Sequence, residues 1–460
     1  MKRLLRIATG RPDASASALR AAAAAAPTVS GVAFVDNSQG ASQAAAELSA
    51  ALGTALDQID FEGTLDETLR RFVHRLDEVA SEYDNSRLRD GGAGQAPWEC
   101  TQHTAQLVSI AWACALDTYS MTTTTTGVLA EADTAAYRFE RDWVGAPSVG
   151  GTVKTLTSTV VSPLADAVDN DNALLPVLVI AVRGTVTKVD HMVNANGRPV
   201  DAAAFVGTHY GTELRAHAGF LNSADALDDT ALARISSYVR AQKARGAKAH
   251  VLFAGHSAGG AVASLLYLRY RGRQEFESTA RFSCITFGAP PAVSLPLTAV
   301  GSSGCGTDGD SNDPICLSLI NEFDLVSRAD TPYVVSVAGL FRAAQQNSLP
   351  RSEDKPVVLD VVVEVEQEHE NEGSDEKTWP LPRALFHHVG HVIVLAMRLE
   401  GDGDGDNDGG GAGAVGLRAV RVDHGVLERL LFCRVAVHRR ACYAERARLL
   451  ARGEFNGLKV

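Results

Sequence analysis

The pentapeptide Gly255–Gly259 (Gly-His-Ser-Ala-Gly) constrains the fold of this chain more than any other feature. It follows an apolar run at 251–254 and precedes small and apolar residues with helical character at 261–269. A serine in this setting is typical of a strand that turns sharply into a helix, because the flanking glycines let strand and helix approach without clashing Cβ atoms. The helix N-terminus then directs free N–H groups towards the serine oxygen. The motif predicts a nucleophile at Ser257.

The pattern alone is weakly specific, because a chain with 41 glycines also produces Gly-x-Ser-x-Gly by chance. An ordinary glycine-rich turn is the alternative interpretation. The surrounding pattern favours the first interpretation, since runs of Val, Ile and Leu alternate with helical segments and suit strands buried on both faces. Seven runs are predicted as strands: 177–182, 250–253, 282–287, 317–320, 357–363, 392–397 and 417–422. This alternation predicts an α/β sandwich.

Charge and composition exclude several classes of protein. A net charge of −12 argues against nucleic acid as a partner and against a basic membrane-docking surface. The seven cysteines lack metal-binding spacing and are expected to be buried free thiols, with a Cys305–Cys316 disulfide left open. No apolar run approaches the roughly 20 residues that span a bilayer, so no integral membrane segment is expected.

The first residues carry the charge of a signal peptide without an apolar core behind it, which predicts a cytoplasmic protein. Arginines among alanines and serines leave a mitochondrial presequence open. Residues 1–98 are predicted as a mainly helical or partly disordered extension, and 99–460 as one enzyme domain. Within the extension, a capping box at 64–67 opens a helix with an apolar stripe, which we interpret as a structural cover.

Three segments rich in Gly, Asp, Glu or Ser are predicted as solvated loop insertions, at 301–313, 367–377 and 401–413. The third begins like a calcium-binding loop at Asp404, but the twelfth position is Val415, where such loops place a bidentate Glu. We therefore interpret it as low complexity and expect no metal.

A serine nucleophile needs a base, an acid that orients the base, and donors for the oxyanion. Asp324 follows a short predicted strand at the edge where catalytic loops of parallel sheets lie, and is the predicted acid. Glu322 and Asp330 are the alternatives. The histidines considered as the base are His387, His388 and His391, before a strand, and His424, between a strand and a helix.

Oxyanion donors are expected from two places. The strand 177–182 ends in Arg-Gly-Thr, so Thr185 can offer a backbone N–H and a hydroxyl after an early strand. The N–H of Ala258, the residue after the nucleophile, is the second predicted donor.

Five blocks in order resemble the class 3 (fungal-type) lipase family over about residues 102–455. They are Val-Arg-Gly-Thr at 182–185, His-Ala-Gly-Phe at 217–220, Gly-His-Ser-Ala-Gly-Gly at 255–260, Thr-Phe-Gly-Ala-Pro-Pro at 286–291 and Asn-Glu-Phe-Asp-Leu-Val-Ser-Arg at 321–328. The last two blocks resemble the family's intracellular fungal branch. The resemblance implies an α/β-hydrolase three-layer sandwich with a mostly parallel central sheet and a lid after the oxyanion strand, at about 187–212.

The resemblance also implies the roles of single residues. The nucleophile falls on Ser257, the acid on Asp324, and the oxyanion residue on Thr185, with the Ala258 N–H as second donor. The family's base lies in a late block, often Asp-His before a helix, which favours His424 over His388.

The implied activity is hydrolysis of lipid carboxylic esters (mono-, di- or triacylglycerol) through an acyl-enzyme. No cofactor is expected, and the partners would be the lipid or ester substrate and, transiently, a lipid interface. The alternatives are a small-ester esterase, a phospholipase or an acyltransferase on the same triad, or a catalytically inactive lipid-binding homologue.

Overall fold

The structure, a computed structural model, describes residues 50–55, 58, 67–120, 136–144, 154–164, 174–185, 197–298, 314–348, 377–399 and 415–459. The predicted strand at 357–363, the insertions at 301–313 and 401–413 and nearly all of 367–377 lie outside the described residues, as does Cys305. Cys316 is a buried free thiol.

A nine-stranded sheet forms the centre of the described structure, with the strand order β1-β12-β11-β10-β9-β8-β5-β4-β3. Four further strands form two small two-stranded sheets. In chain order the strands are β1 Gln95–Pro97, β2 Cys100–Thr101, β3 Tyr137–Val144, β4 Leu156–Pro163, β5 Val177–Val182, β6 Pro199–Asp201, β7 Arg215–His217, β8 Ala249–His256, β9 Ala280–Phe287, β10 Cys316–Asn321, β11 His391–Leu399, β12 Val415–Val422 and β13 Leu458–Lys459.

The five middle strands of the sheet, β11, β10, β9, β8 and β5, run parallel to one another. Every residue of β5, β8 and β10 is buried, which is why these strands read as continuous apolar runs in the sequence. The predicted α/β-hydrolase sandwich with a mostly parallel sheet is confirmed. Six of the seven predicted strands coincide with β5, β8, β9, β10, β11 and β12.

The outer strands of the sheet are antiparallel. β4 pairs with β5, and β3 with β4, at one end. At the other end β12 runs antiparallel to β11, and β1 pairs antiparallel with β12. Threonines and serines break up the apolar pattern of β4, and charged residues that of β3, so neither strand was predicted from the sequence.

Helices cover both faces of the sheet. In chain order they are α1 Glu67–Ser81, α2 Gln102–Asp117, α3 Ala203–Val206, α4 Ala218–Ala244, α5 Ala258–Arg271, α6 Thr331–Ser348, α7 His424–Glu428 and α8 Arg440–Ala451. α4 and α5 pack in one apolar core with residues such as Val251 and Phe253 of β8. The alternate residues Leu252 and Ala254 face a second core that contains α2 and α8. The alternation along β8 produces the three layers.

Several parts of the predicted N-terminal extension contact the rest of the fold. β1 adds an edge strand to the sheet beside β12. α1 buries Leu69, Val73, Leu76 and Val79 and packs against α6. The helix therefore covers apolar surface of the main fold, and the boundary at residue 98 stays a prediction. Across the described ranges, no helix is both long and apolar enough to cross a bilayer.

Candidate active site

Ser257 occupies a strained turn between β8 and α5. Its backbone has φ +57° and ψ −138°, a combination that non-glycine residues rarely adopt, and its N–H donates to the carbonyl of Phe287 at 2.9 Å. Ser257 is the N-cap residue of α5, so the first N–H groups of that helix lie beside its side chain. The turn has the form that the Gly-x-Ser-x-Gly motif predicts.

The glycines around this turn let three backbone segments approach one another. A Cβ on Gly259 would overlap the carbonyl oxygen of Val182 and lie 2.7 Å from the carbonyl carbon of Arg183. A Cβ on Gly184 would lie 2.8 Å from the carbonyl oxygen of His256. The start of α5 therefore packs directly on the backbone that leads from β5 to Thr185. This contact places the predicted oxyanion loop next to the predicted nucleophile.

Three predicted site residues share one edge of the sheet. Thr185, Ser257 and Asp324 follow the carboxyl ends of β5, β8 and β10, which run parallel within the sheet. Ala258 is the first residue of α5. Their catalytic roles stay predictions, but their common placement is the one that a parallel α/β sheet uses for its sites.

Asp324 is fully buried, and each of its carboxylate oxygens accepts at least one hydrogen bond. Oδ2 accepts from Nδ1 of His438 at 2.8 Å and from the hydroxyl of Tyr443 at 2.7 Å. Oδ1 accepts from the N–H of Val326 at 2.9 Å. Burial and the adjacent Asp324 hold the pKa of Tyr443 well above its ordinary value, so this hydroxyl stays a donor. Asp324 therefore forms the carboxylate–histidine hydrogen bond that is expected of an orienting acid.

The two alternative acids have other partners. Glu322 is paired with Arg398, whose Nη2 donates to Oε1 at 2.8 Å, and it also accepts from the N–H of Leu88. Asp330 accepts from the N–H of Tyr333 at 3.0 Å, within the first turn of α6. Neither carboxylate has a hydrogen bond to a histidine among the described contacts, so the geometry favours Asp324.

His438 lies beside the elbow through its contact with His256. The Nε2–H of His256 donates to the backbone carbonyl of His438 at 3.2 Å, and the two rings stack with centroids 4.8 Å apart. Burial lowers the pKa of His256 well below its ordinary value, so its neutral ring accepts at Nδ1 from the hydroxyl of Tyr119 at 3.0 Å. Both ring nitrogens of His256 therefore form hydrogen bonds, and one of the two partners is the loop that carries His438.

The structure does not bring His424, the predicted base, to Asp324. β12 runs antiparallel to β11, and its last residue, Val422, pairs with Val392 near the start of β11. His424 therefore emerges at the amino ends of the parallel strands, whereas Asp324 follows the carboxyl end of β10. A histidine directly after β12 would reach the catalytic edge only if β12 ran parallel to β11. The carboxylate of Asp324 is bonded to His438 instead.

The comparison with known families concerns the middle of the chain. Residues 179–333 match the family model described as Lipase (class 3). The resemblance to class 3 lipases is confirmed there, and the matched segment contains Thr185, Ser257 and Asp324. It ends before His438. The match supports a carboxylic ester hydrolase that acts on lipid esters. No curated protein matches the chain.

Solved lipase structures are similar to about half of this chain. A triacylglyceride lipase from Rhizomucor miehei has 17% identity and a TM-score of 0.33, with 51% of this chain and 76% of that chain covered. A lipase from Rhizopus microsporus var. chinensis has 15% identity and a TM-score of 0.34, with 53% and 75% covered. Lip2 lipase from Yarrowia lipolytica has 14% identity and a TM-score of 0.35, with 50% and 76% covered.

The lipase-like lid predicted at 187–212 falls into two parts. Residues 187–196 lie outside the described residues. The remainder contains β6 and α3, and Phe205, Val206 and Tyr210 are buried in the core beneath α5. Arg269 of α5 donates to the carbonyl of Phe205 at 2.6 Å and lies over its ring at 4.5 Å. This second part of the predicted lid segment is packed into the apolar core in the structure.

The sequence does not single out His438, because its local pattern differs from that of His424, a histidine between a strand and a helix. His438 ends a short 3₁₀ turn, Ala436–His438, just before α8, with no strand directly ahead of it. Chain order alone permits it, since any histidine after Asp324 satisfies the order Ser, Asp, His. The sequence around Tyr443, on the first turn of α8, likewise gives no signal for its hydrogen bond, because the acceptor, Asp324, lies 119 positions away.

Buried histidines other than His438 predict that the folded protein loses stability in acid. Burial lowers the pKa of His250 and His388 to about 3, and that of His424 to about 4, from an ordinary 6.5. Below pH 6.5 these histidines bind protons in the unfolded chain more readily than in the folded chain. Their contribution to the free energy of unfolding is therefore fully present above pH 6.5 and is lost as the pH falls. We expect a loss of about 1 kcal/mol per histidine per pH unit between pH 6 and pH 4.

Urea unfolding at a series of pH values measures this loss. His424→Asn is expected to have a shallower acid slope than the wild type, while His74→Asn, at an exposed site of α1, keeps the wild-type slope. Equal slopes for the His424 variant and the wild type would contradict the explanation.

Proposed function

We propose that this protein hydrolyses the carboxylic esters of acylglycerols through an acyl-enzyme, with Ser257 as nucleophile, His438 as base and Asp324 as the orienting acid. The observation that carries the proposal is the hydrogen bond from His438 to Asp324, formed beside the strained elbow that presents Ser257. The base differs from the His424 of the sequence prediction, for the topological reason given above.

In the first step, Nε2 of His438 takes the proton of the Ser257 hydroxyl as the oxygen attacks the ester carbonyl carbon. Asp324 holds Nδ1–H of the ring, which fixes the tautomer and stabilises the imidazolium. The N–H of Ala258, at the start of α5, and Thr185 are the proposed donors to the oxyanion, and one such donor typically contributes about 3 kcal/mol.

The tetrahedral intermediate collapses as His438 returns the proton to the leaving alcohol, and Ser257 keeps the acyl group. Water then attacks the acyl-enzyme with His438 again as base, which releases the fatty acid and restores the serine. The surroundings of His256 support a proton-transfer role for its neighbour, because a neutral His256 adds no positive charge beside the developing imidazolium.

Labelling with a fluorophosphonate probe and hydrolysis of an ester series test the proposal. The probe reacts with activated serines, so the wild type is expected to be labelled once and Ser257→Ala not at all, with kcat lowered by at least about 10³-fold. Ser264→Ala is the matched control, since Ser264 lies in the same helix and only donates to the carbonyl of Ala261. Ester hydrolysis that survives in Ser257→Ala would refute the proposed nucleophile.

The substrate class is tested by glycerol esters of increasing acyl length, supplied as monomers and as micelles. A preference for long-chain acylglycerols supports a lipase, whereas activity restricted to short soluble esters would refute that substrate class. Product analysis with added acceptor alcohol separates hydrolysis from acyl transfer, because transfer produces a new ester in place of the free acid.

A further inference from the structure

The N-terminal helix α1 packs against both loops that carry the acid and the base. Its residues Val73, Leu76 and Val79 share one apolar cluster with Leu325, directly after Asp324, and with Val435, three residues before His438. Tyr443, on the other hand, belongs to a different apolar cluster. The helix also lies outside the segment that matches the lipase family.

The loop before Asp324 contains a strained residue. Phe323 has φ +73°, in the left-handed region that bulky side chains rarely adopt. Such a conformation persists only where surrounding contacts hold it. Two of these contacts come from Arg434, whose N–H donates to the carbonyl of Phe323 at 2.8 Å and whose guanidinium lies over the Phe323 ring at 4.3 Å. Residues 324 and 434 also form an isolated parallel bridge.

Arg434 is itself held by the N-terminal helix. Its Nε donates to Oδ2 of Asp77 at 2.9 Å, and both side chains are about one-third exposed. The ion pair therefore has little effect on stability by itself, but it orients the guanidinium over the ring. Asp77 lies on the same face of α1 as the buried Val73, one helical turn away.

We propose that Arg434 is a positioning residue, clamped by Asp77, that holds the strained Phe323 turn and so the relative placement of Asp324 and His438. The proposal rests on the proposed function, because it assigns the clamp to the acid–base pair of that mechanism. Arg434 stands four residues before His438 and contacts the residue directly before Asp324, so a single residue restrains both loops. Asp77 of the N-terminal helix thereby supports the acid–base pair through Arg434.

Loosening the clamp should change catalysis and leave substrate binding intact. A displacement of a reacting group by about 1 Å can lower a rate by about 10²-fold, so Arg434→Met is expected to reduce kcat by 10- to 100-fold with KM little changed. Asp77→Asn, which keeps the shape of the side chain and removes its charge, is expected to have a smaller effect in the same direction. Arg434→Lys, which retains a cation over the ring, should recover part of the activity.

Glu78→Gln is the matched control, because Glu78 neighbours Asp77 on α1 and, among the described residues, its carboxylate pairs with Arg75 and His74 of the same helix. All variants are compared in the full chain at a temperature well below the unfolding transition of each. Rates are expressed per active site titrated with the fluorophosphonate probe, so unfolded protein does not contribute.

Titration of His438 by NMR in histidine-labelled protein supplies a readout that is independent of activity. The titratable groups that face its ring are Asp324, His256 and Tyr443. A carboxylate bonded to Nδ1 stabilises the imidazolium, so a loosened pair should lower the pKa of His438 in Arg434→Met and Asp77→Asn but not in Glu78→Gln. An unchanged pKa and unchanged kcat in both clamp variants would overturn the proposal. Failure of the wild type to hydrolyse any ester would instead overturn the proposed function, whatever the His438 pKa does.

Discussion

His438→Ala is expected to lower kcat for ester hydrolysis by at least about 10³-fold, because it removes the proposed base and leaves Asp324 without the imidazole that it orients. His424→Ala is expected to keep kcat within about threefold, since its ring lies at the opposite edge of the sheet. The measurement is kcat on a soluble ester, normalised to the concentration of folded protein.

Folding controls matter here because both histidines are buried. His438→Gln keeps a side chain of similar size without a usable base and should be as inactive as the alanine variant. Circular dichroism and thermal unfolding establish that each variant is folded at the assay temperature. If His424→Ala lost activity and His438→Ala kept it, the base would be His424 as first predicted, and the Asp324–His438 bond would be structural.

The positions of Ser257 and Asp324 could be predicted from the sequence because their signals are local. The Gly255–Gly259 turn needs only neighbouring residues to define it, and an apolar run before Asp324 is enough to place that residue at a strand end. Parallel strands share the direction of their carboxyl ends, so the two local predictions combine into a site at one edge. Most of the central strands could also be predicted, because their apolar runs are local signals too.

The histidine that contacts Asp324 could not be predicted, because the direction of the last strand is a long-range property. Apolar residues at 417–422 predict a strand but not whether it runs parallel or antiparallel to its neighbour. In the structure β12 reverses, α7 forms at the amino edge, and the chain then returns along the sheet face to deliver His438 beside Asp324. No sequence pattern within a few residues of His424 or His438 indicates that the chain returns to the edge with Asp324.

The residues that support Asp324 and Arg434 could not be predicted for the same reason, because their contacts join distant parts of the chain. Tyr443 contacts a carboxylate 119 positions away, and Asp77 contacts a guanidinium 357 positions away. Pairings of this length depend on the packing of α8 against α2 and the sheet, and of α1 against α6. A sequence read one segment at a time identifies these residues only as a helix tyrosine and a helix aspartate.

Gly259→Ala is expected to be the most damaging methyl addition at the site. The new Cβ would meet the main chain at Val182, Arg183 and Gly184, and a backbone cannot rotate away as a side chain can. Because α5 and the end of β5 must then separate, we expect a loss of about 3 kcal/mol or more in the free energy of unfolding. We also expect fluorophosphonate labelling of Ser257 to slow by about 10²-fold.

Gly339→Ala, in α6, is the matched control for this substitution. Both glycines lie within helices, where alanine is favoured by up to about 1 kcal/mol, but no atom lies within 4 Å of a Cβ built on Gly339. The control should therefore be slightly stabilised and label at the wild-type rate. Equal stability and labelling of the two variants would show that the elbow and the oxyanion loop do not depend on close backbone contact. A large loss confined to Gly259→Ala would show that the catalytic edge is assembled by direct packing of the two turns.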